Sequence, residues 1–275
     1  MTRIAICAPG APIRPEVSEK VTALAKSSFP HLTLDFHPQC FAEAGHFAGI
    51  DEERLLALLD CANDPTVDAV WFARGGYGSD RIAEDAIARM NASAKKKAYI
   101  GYSDCGYLLA GLYRNRIGRP ISGPMPVDVG RNDNGACVLR SLAWFAGSEE
   151  GLEPTIGKQP TVAFNLITLV MLSGTPLMPD LTGHVVMVEE VHEYLYAIDR
   201  LFFALMPYLK GIAGLRLGSV TDVPENDRPF GQTAEEIAQF WCERAGVPYL
   251  GRAEFGHTAD NRIVPFGLAA PPLGA

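Results

Sequence analysis

One serine stands where its hydroxyl could act as a nucleophile. The run Tyr99-Ile-Gly-Tyr-Ser-Asp-Cys ends a β-type stretch in a small-residue turn, which would project Ser103 from a strand's carboxyl end ahead of an apolar helix. Upstream, Asp68-Ala-Val-Trp-Phe-Ala-Arg-Gly-Gly-Tyr-Gly has the same plan, a buried strand ending in a glycine loop. Glycines let backbone N–H groups come close to a substrate oxyanion, so a hydroxyl beside such a loop is the minimum equipment for acyl transfer. Local pattern alone favours a plainer role for Ser103, as the cap of a helix beginning near Asp104. Cys105 also occupies the second glycine position of a G-x-S-x-G nucleophile elbow. The acyl-transfer reading therefore needs a base.

Two distant stretches supply candidates. Val185-Val-Met-Val-Glu-Glu-Val-His-Glu sets Glu189 at the end of an apolar strand, where a carboxylate is costly unless it is hydrogen-bonded or paired. Gly256-His-Thr-Ala-Asp-Asn sets His257 in a polar, glycine-preceded turn. Each alone is more often structural. With Ser103 they provide nucleophile, orienter and base in the chain order Ser, Glu, His.

Other chemistries find less support. Gly75-Gly-Tyr-Gly lacks the lysine of a phosphate-binding loop, and Arg81 takes the last glycine position of G-x-G-x-x-G. Four residues after His192 stands Tyr196, so His192-Glu193 has no second zinc ligand. His31, His37 and His46 have no ligand spacing, and His184 opens a strand with a structural role. No cofactor and no metal site are expected.

The elements that must position these residues read as an α/β protein. Strands are expected at 4–8, 32–36, 69–73 and 98–101, with helices near 15–27, 51–62, 80–91, 105–115 and 134–146. This alternation predicts a doubly wound, mainly parallel sheet over residues 1–147, whose strand ends would gather the loop at Ala8-Pro-Gly, the Arg74 loop and Ser103 into one crevice. The polar, aperiodic stretch 148–160 reads as a linker. A smaller α/β domain over 161–275 would hold helices at about 165–172, 194–209 and 233–245, strands at 184–189 and 215–221, and an extended, packed proline-rich tail.

With 275 residues, 48% hydrophobic and 20% charged, the chain can bury two cores. A net charge of -8 argues against nucleic-acid binding. The basic run Lys95–Lys97 reads as a solvated loop. Six cysteines without a C-x-x-C pair read as reduced core thiols and a cytoplasmic protein, and no signal peptide or membrane span is evident.

At this point the chain resembles the LD-carboxypeptidase family of serine peptidases, which includes muropeptide carboxypeptidases and microcin-immunity peptidases. The resemblance is carried in order by Ile4-Ala-Ile-Cys-Ala-Pro-Gly, Ala73-Arg-Gly-Gly-Tyr-Gly, Ile100-Gly-Tyr-Ser-Asp, Ser122-Gly-Pro-Met, Asn165-Leu-Ile-Thr-Leu, Gly174-Thr-Pro, Val188-Glu-Glu-Val-His-Glu, Ile198-Asp-Arg-Leu and Gly256-His. It implies a metal-independent peptidase with Ser103 as nucleophile, His257 as base and then acid, and Glu189 as orienter. Glu190 matches the position the family usually gives to aspartate. The N–H of Asp104 and one from the Gly75-Gly76-Tyr77 loop, Gly76 foremost, would form the oxyanion hole. Arg74, Tyr77 and Asn165 are the expected substrate contacts, although Arg74 suits equally an arginine that holds the glycine loop. The implied reaction releases terminal D-alanine from peptidoglycan tetrapeptides in cytoplasmic cell-wall recycling, by a homodimer. Alternatives are a peptidase acting on peptide-nucleotide antibiotics and a non-catalytic muropeptide-binding protein. Departures from the family pattern at Ala163-Phe-Asn165, at Cys105-Gly106 and in the short segment after Gly123-Pro-Met bear on substrate-loop shape and leave the three triad residues in place.

Overall fold

The alternation of β-type runs and amphipathic segments folds as two sheets in the computed structural model of the chain, which describes residues 1–131, 133–269 and 271–273. The first half contains β1 (Thr2–Cys7), α1 (Pro15–Ser28), β2 (Leu32–Phe36), α2 (Asp51–Asn63), β3 (Ala69–Phe72), α3 (Asp80–Arg89), β4 (Ala98–Gly101), α4 (Gly106–Arg114), β5 (Arg119–Ser122) and α5 (Ala136–Phe145). Its strands lie in the order β2-β1-β3-β4-β5 and are all parallel. The second half contains β6 (Thr161–Asn165), α6 (Leu166–Leu172), β7 (Val185–Val191), α7 (Leu195–Leu205), β8 (Gly214–Thr221), α8 (Ala234–Ala245) and β9 (Tyr249–Arg252), followed by a two-residue strand, β10 (Val264–Pro265). Strands β6 to β9 form a second, parallel sheet in chain order.

Strand alternation explains the layers. Ile4, Ile6, Trp71, Ile100 and Ile121 face one way and pack with Val21 and Ala25 of α1 and Val138 and Leu142 of α5. Ala5, Cys7, Val70, Phe72 and Tyr99 face the other way, onto α2, α3 and α4. That second core continues without a break into Val162, Phe164, Val186 and Val188 of the second sheet. Burial of this shared apolar surface sets the two sheets against each other.

Residues 264–267 tie the sheets together. β10 pairs antiparallel with β5, Phe266 N–H donates to Pro120 O (3.0 Å), and Thr161 and Gly267 exchange two bonds of 2.8 Å. Residues 264–265 thus complete the sheet built by the first half.

Several expectations need correction. Strand β5 was not legible, because Pro120 argues against a strand interior. β6 merges with the apolar run of α6, and β9 is short and half-buried. The stretch 148–160, read as a linker, packs on the second half: buried Glu153 accepts from Thr155 N (2.8 Å) and Glu254 N (3.1 Å), and Leu152 bridges Ile263. Lys97 is not solvated but 2% exposed, donating its ammonium to the carbonyls of Asp64 and Val67, because the chain turns inward there to begin β4.

Candidate active site

β4 ends at Gly101, Tyr102 is extended, and Ser103 turns sharply to φ 58° before a single 3₁₀ turn, Ser103–Cys105, leads into α4. A β-carbon in the left-handed region is strained, and this strained strand-to-helix turn is the geometry that exposes a nucleophile. No side chain caps the 3₁₀ turn or α4, so the plainer capping role is not found. Ser103 Oγ lies 3.1 Å from His257 Nε2, and His257 Nδ1 lies 2.8 Å from Glu189 Oε2. A carboxylate can only accept, so Nδ1–H donates to Glu189 and Nε2 is left to accept from the serine hydroxyl.

Glu189 is 1% exposed near the end of β7, opposite a register shift in which Val188 pairs with Leu217 but Glu190 pairs with Val220. The extra residue on β8 is a bulge, a common device for re-aiming side chains beside a site. His257 follows Gly256, whose φ is +120° and where a Cβ would sit 2.2 Å from Ser219 Oγ and 2.9 Å from Glu189 Oε2. Only glycine lets this turn pass close enough for the imidazole to meet the carboxylate.

Pleating sends the neighbouring carboxylate elsewhere. Glu190, 2% exposed, accepts from Asn165 Nδ2 (2.8 Å), Ile167 N (2.9 Å) and Val191 N (2.9 Å), and burial pushes its carboxyl up to about 7. Asn165 is likewise committed: it is 5% exposed and its Oδ1 accepts from Thr168 N (3.2 Å) as the cap of α6. Asn165 braces the strand end that bears Glu189, its register partner, and lines a small pocket with Ser103 and Glu189.

His257, 18% exposed at its side chain, is pulled in opposite directions. Burial lowers its pKa, while the hydrogen bond and charge of Glu189 and the charge of Asp128 raise it; the net shift is upward despite Arg131. Such an imidazole is oriented and supported to take a proton.

A crevice of about 380 Å³ opens over Ser103, lined in part by Arg74, Gly75, Gly76, Met125, Arg131 and His257. Gly75 touches the serine, for a Cβ there would lie 3.0 Å from Ser103 Cβ and 3.2 Å from its Oγ. Gly76 is left-handed at φ +87°. Asp104 joins the two loops: its Oδ2 accepts from Ser79 N (2.9 Å), its carbonyl accepts from Ser79 Oγ (2.6 Å), and burial pushes its carboxyl up to about 6. Arg74 donates Nη1 to Pro12 O (3.2 Å), which steadies the loop after β1, and still borders the crevice. Tyr77 does not line it; its ring is 53% exposed beside His46 and Phe47.

Three residues that sequence reasoning passed over complete the site. Tyr102 OH donates to Asp128 Oδ1 (2.8 Å), Arg131 Nε donates to the same oxygen (2.9 Å), and Arg131 Nη2 donates to Tyr102 OH (2.8 Å). The only signal in the chain was an acid and an arginine three residues apart, a spacing too common to single out. Among the described residues, no group of three or more His, Cys, Asp or Glu side chains is arranged to hold a metal ion, and no helix is long and apolar enough to cross a membrane.

Comparison with known proteins agrees with this architecture. Residues 4–120 match the LD-carboxypeptidase N-terminal domain and residues 160–271 the LD-carboxypeptidase C-terminal domain. The chain is 27% identical over 289 residues to the murein tetrapeptide carboxypeptidase of Pseudomonas aeruginosa, covering 98% of this chain and 92% of that one. The crystal structure of muramoyltetrapeptide carboxypeptidase from Oxalobacter formigenes superimposes with a TM-score of 0.81 at 27% identity, covering 97% and 93% of the two chains. The microcin C7 self-immunity protein MccF shares the fold, with a TM-score of 0.79 at 17% identity over 97% of this chain and 91% of its own. With both halves matched in order around one crevice, the chain belongs to the LD-carboxypeptidase family and is a carboxypeptidase.

Proposed function

We propose that this protein is a metal-independent serine carboxypeptidase that releases the terminal D-alanine from murein tetrapeptides, with Ser103, His257 and Glu189 as its triad. The observation that carries the reading is the continuous line from Ser103 Oγ through the imidazole to Glu189, at 3.1 and 2.8 Å. Similarity along nearly the whole chain to two murein tetrapeptide enzymes supports the substrate class. Ser103 attacks the scissile carbonyl as His257 Nε2 takes its proton, and backbone N–H groups of Asp104 and Gly76 receive the developing oxyanion. The protonated imidazole, held by Glu189, then delivers the proton to the departing amine. Water repeats the relay in reverse to free the acyl-enzyme.

Arg74 is assigned to the substrate's terminal carboxylate, since its guanidinium borders the crevice with one backbone acceptor and no acidic partner within salt-bridge distance among the described residues. Six unpaired, buried cysteines support a reducing, cytoplasmic setting, which cell fractionation tests. Exposed Tyr196 and Phe203 on α7 and Phe240 on α8 support the homodimer that the family resemblance implies; light scattering on Phe203→Glu tests it, expecting monomers.

The deciding experiment is mass spectrometry after incubation with tri-, tetra- and pentapeptide muropeptides. Loss of one alanine from the tetrapeptide alone, abolished in Ser103→Ala, supports the proposal. Turnover only of a peptide-nucleotide conjugate would replace the substrate, and reversible binding without turnover would replace the mechanism.

A further inference from the structure

We propose that Arg131, clamped by buried Asp128, is a positioning residue that holds His257 in its working orientation from the opposite sheet. The inference rests on the triad reading above. His257 lies in the loop between β9 and β10 and follows a left-handed glycine, so its backbone has little regular structure to fix it. Glu189 secures one ring nitrogen. The rest of the residue is held by the other sheet: Arg131 Nη1 donates to the His257 carbonyl (3.2 Å), and the Tyr102 ring packs on the imidazole with centroids 4.9 Å apart.

Arg131 is itself held through all three of its guanidinium nitrogens. Nε reaches Asp128, Nη2 reaches Tyr102 and Nη1 reaches His257, so each nitrogen of the fork has its own acceptor. Asp128 is 3% exposed and takes Met125 N (2.8 Å) on its second oxygen, which anchors the clamp in the first sheet's core. Tyr102 directly precedes Ser103, so one network of three side chains locates both nucleophile and base. A planar fork with three fixed directions can do this and an ammonium cannot. Both Arg131 and Arg74 border the crevice, but the acceptors on all three Arg131 nitrogens distinguish it from Arg74, whose guanidinium has one partner among the described residues.

The charges give the idea a signed readout. The charged and titratable groups facing the imidazole are Glu189 from β7, Asp128 and Arg131 from the turn after β5, and the Tyr102 phenol from the end of β4. Removing Arg131 leaves Asp128 uncompensated and favours the imidazolium; removing the Asp128 charge does the reverse.

The test combines steady-state release of D-alanine with NMR titration of ¹³C-labelled histidine, the His257 signal being assigned by His257→Gln. Arg131→Gln is expected to lower kcat by about tenfold or more, as a small misplacement does, with KM within about twofold. Its His257 titration should move to higher pH, and that of Asp128→Asn to lower pH. Arg131→Lys should keep the titration near wild type yet fail to restore kcat. If Arg131→Gln does not fold, Tyr102→Phe, which removes one acceptor and keeps the ring, should lower kcat in the same sense. A raised KM with unchanged kcat and titration would make Arg131 a substrate grip and overturn the proposal, as would wild-type values throughout. An active Ser103→Ala would sink the triad reading instead, and the NMR titration would still report on the clamp.

Discussion

Gly75→Ala is a stringent test of the site, because a single methyl would meet the proposed nucleophile, Ser103, directly. Gly75 is not left-handed, so alanine suits its backbone and the effect comes from space alone. The new Cβ would lie 3.0 Å from Ser103 Cβ, 3.2 Å from Ser103 Oγ and 3.5 Å from Tyr102 O. Carbon atoms prefer roughly 3.5–4.0 Å, so the glycine loop and the serine turn must part by about half an ångström or more. Ser103 Oγ starts 3.1 Å from His257 Nε2, near the outer end of the reach of roughly 2.6–3.2 Å that proton transfer needs. A misplacement of about 1 Å costs on the order of 10²-fold, so kcat should fall by roughly 10- to 100-fold. Overpacking should also cost about 1–3 kcal/mol in urea unfolding. Gly157→Ala is the control: nothing lies within 4 Å of its Cβ and its φ is not left-handed, so its kcat should equal wild type. D-alanine release and the rate of fluorophosphonate labelling at Ser103 would both be followed. A folded Gly75→Ala with kcat within about twofold of wild type would show that the contact between loop and serine does not govern catalysis.

Glu189→Gln keeps the shape of the proposed orienter and loses its charge, so turnover should drop by roughly 10²–10⁴-fold at unchanged fold, measured by D-alanine release and circular dichroism. The raised pKa of His257 places the acid limb of kcat/KM above the ordinary imidazole value of about 6.5, because only the neutral ring accepts the serine proton. The same raised pKa means that the His257–Glu189 pair stabilises the fold fully below the unfolded value and loses that contribution as pH rises through the folded one, which urea titrations across pH would register. In Glu189→Gln the acid limb should move to lower pH as burial becomes the main influence. Arg74→Lys should raise KM with kcat nearly unchanged if the guanidinium grips the terminal carboxylate; equal KM values would return Arg74 to a purely structural role. Lys97→Met strands the Val67 carbonyl under β4, whereas the Asp64 carbonyl keeps Val67 N–H, and should cost about 1–3 kcal/mol in urea unfolding, with kcat of the folded enzyme retained.

The local content of the molecule was legible from periodicity. Strands β2 and β4 begin and end where their apolar runs do, and the prolines and glycines around them mark the turns. The doubly wound sheet follows from alternating periods of two and 3.6, and the three loops at its strand ends meet because parallel strands bring their carboxyl ends to one edge. Ser103, Glu189 and His257 were identified as residue types in a plausible chain order. Their assembly was decided elsewhere: 154 residues separate Ser103 from His257 and 68 separate Glu189 from His257, so no local propensity joins them. Their convergence comes from the core shared by the two sheets, the bulge on β8, and the tail that returns to β5 after the His257 turn. The Asp128–Arg131 clamp was equally invisible, since an acid and an arginine three apart are ordinary in sequence and become specific only once burial removes water as their partner. Sequence determines which groups are available and which face of an element each occupies; only packing decides which of those faces meet, because burial is a property of the whole chain.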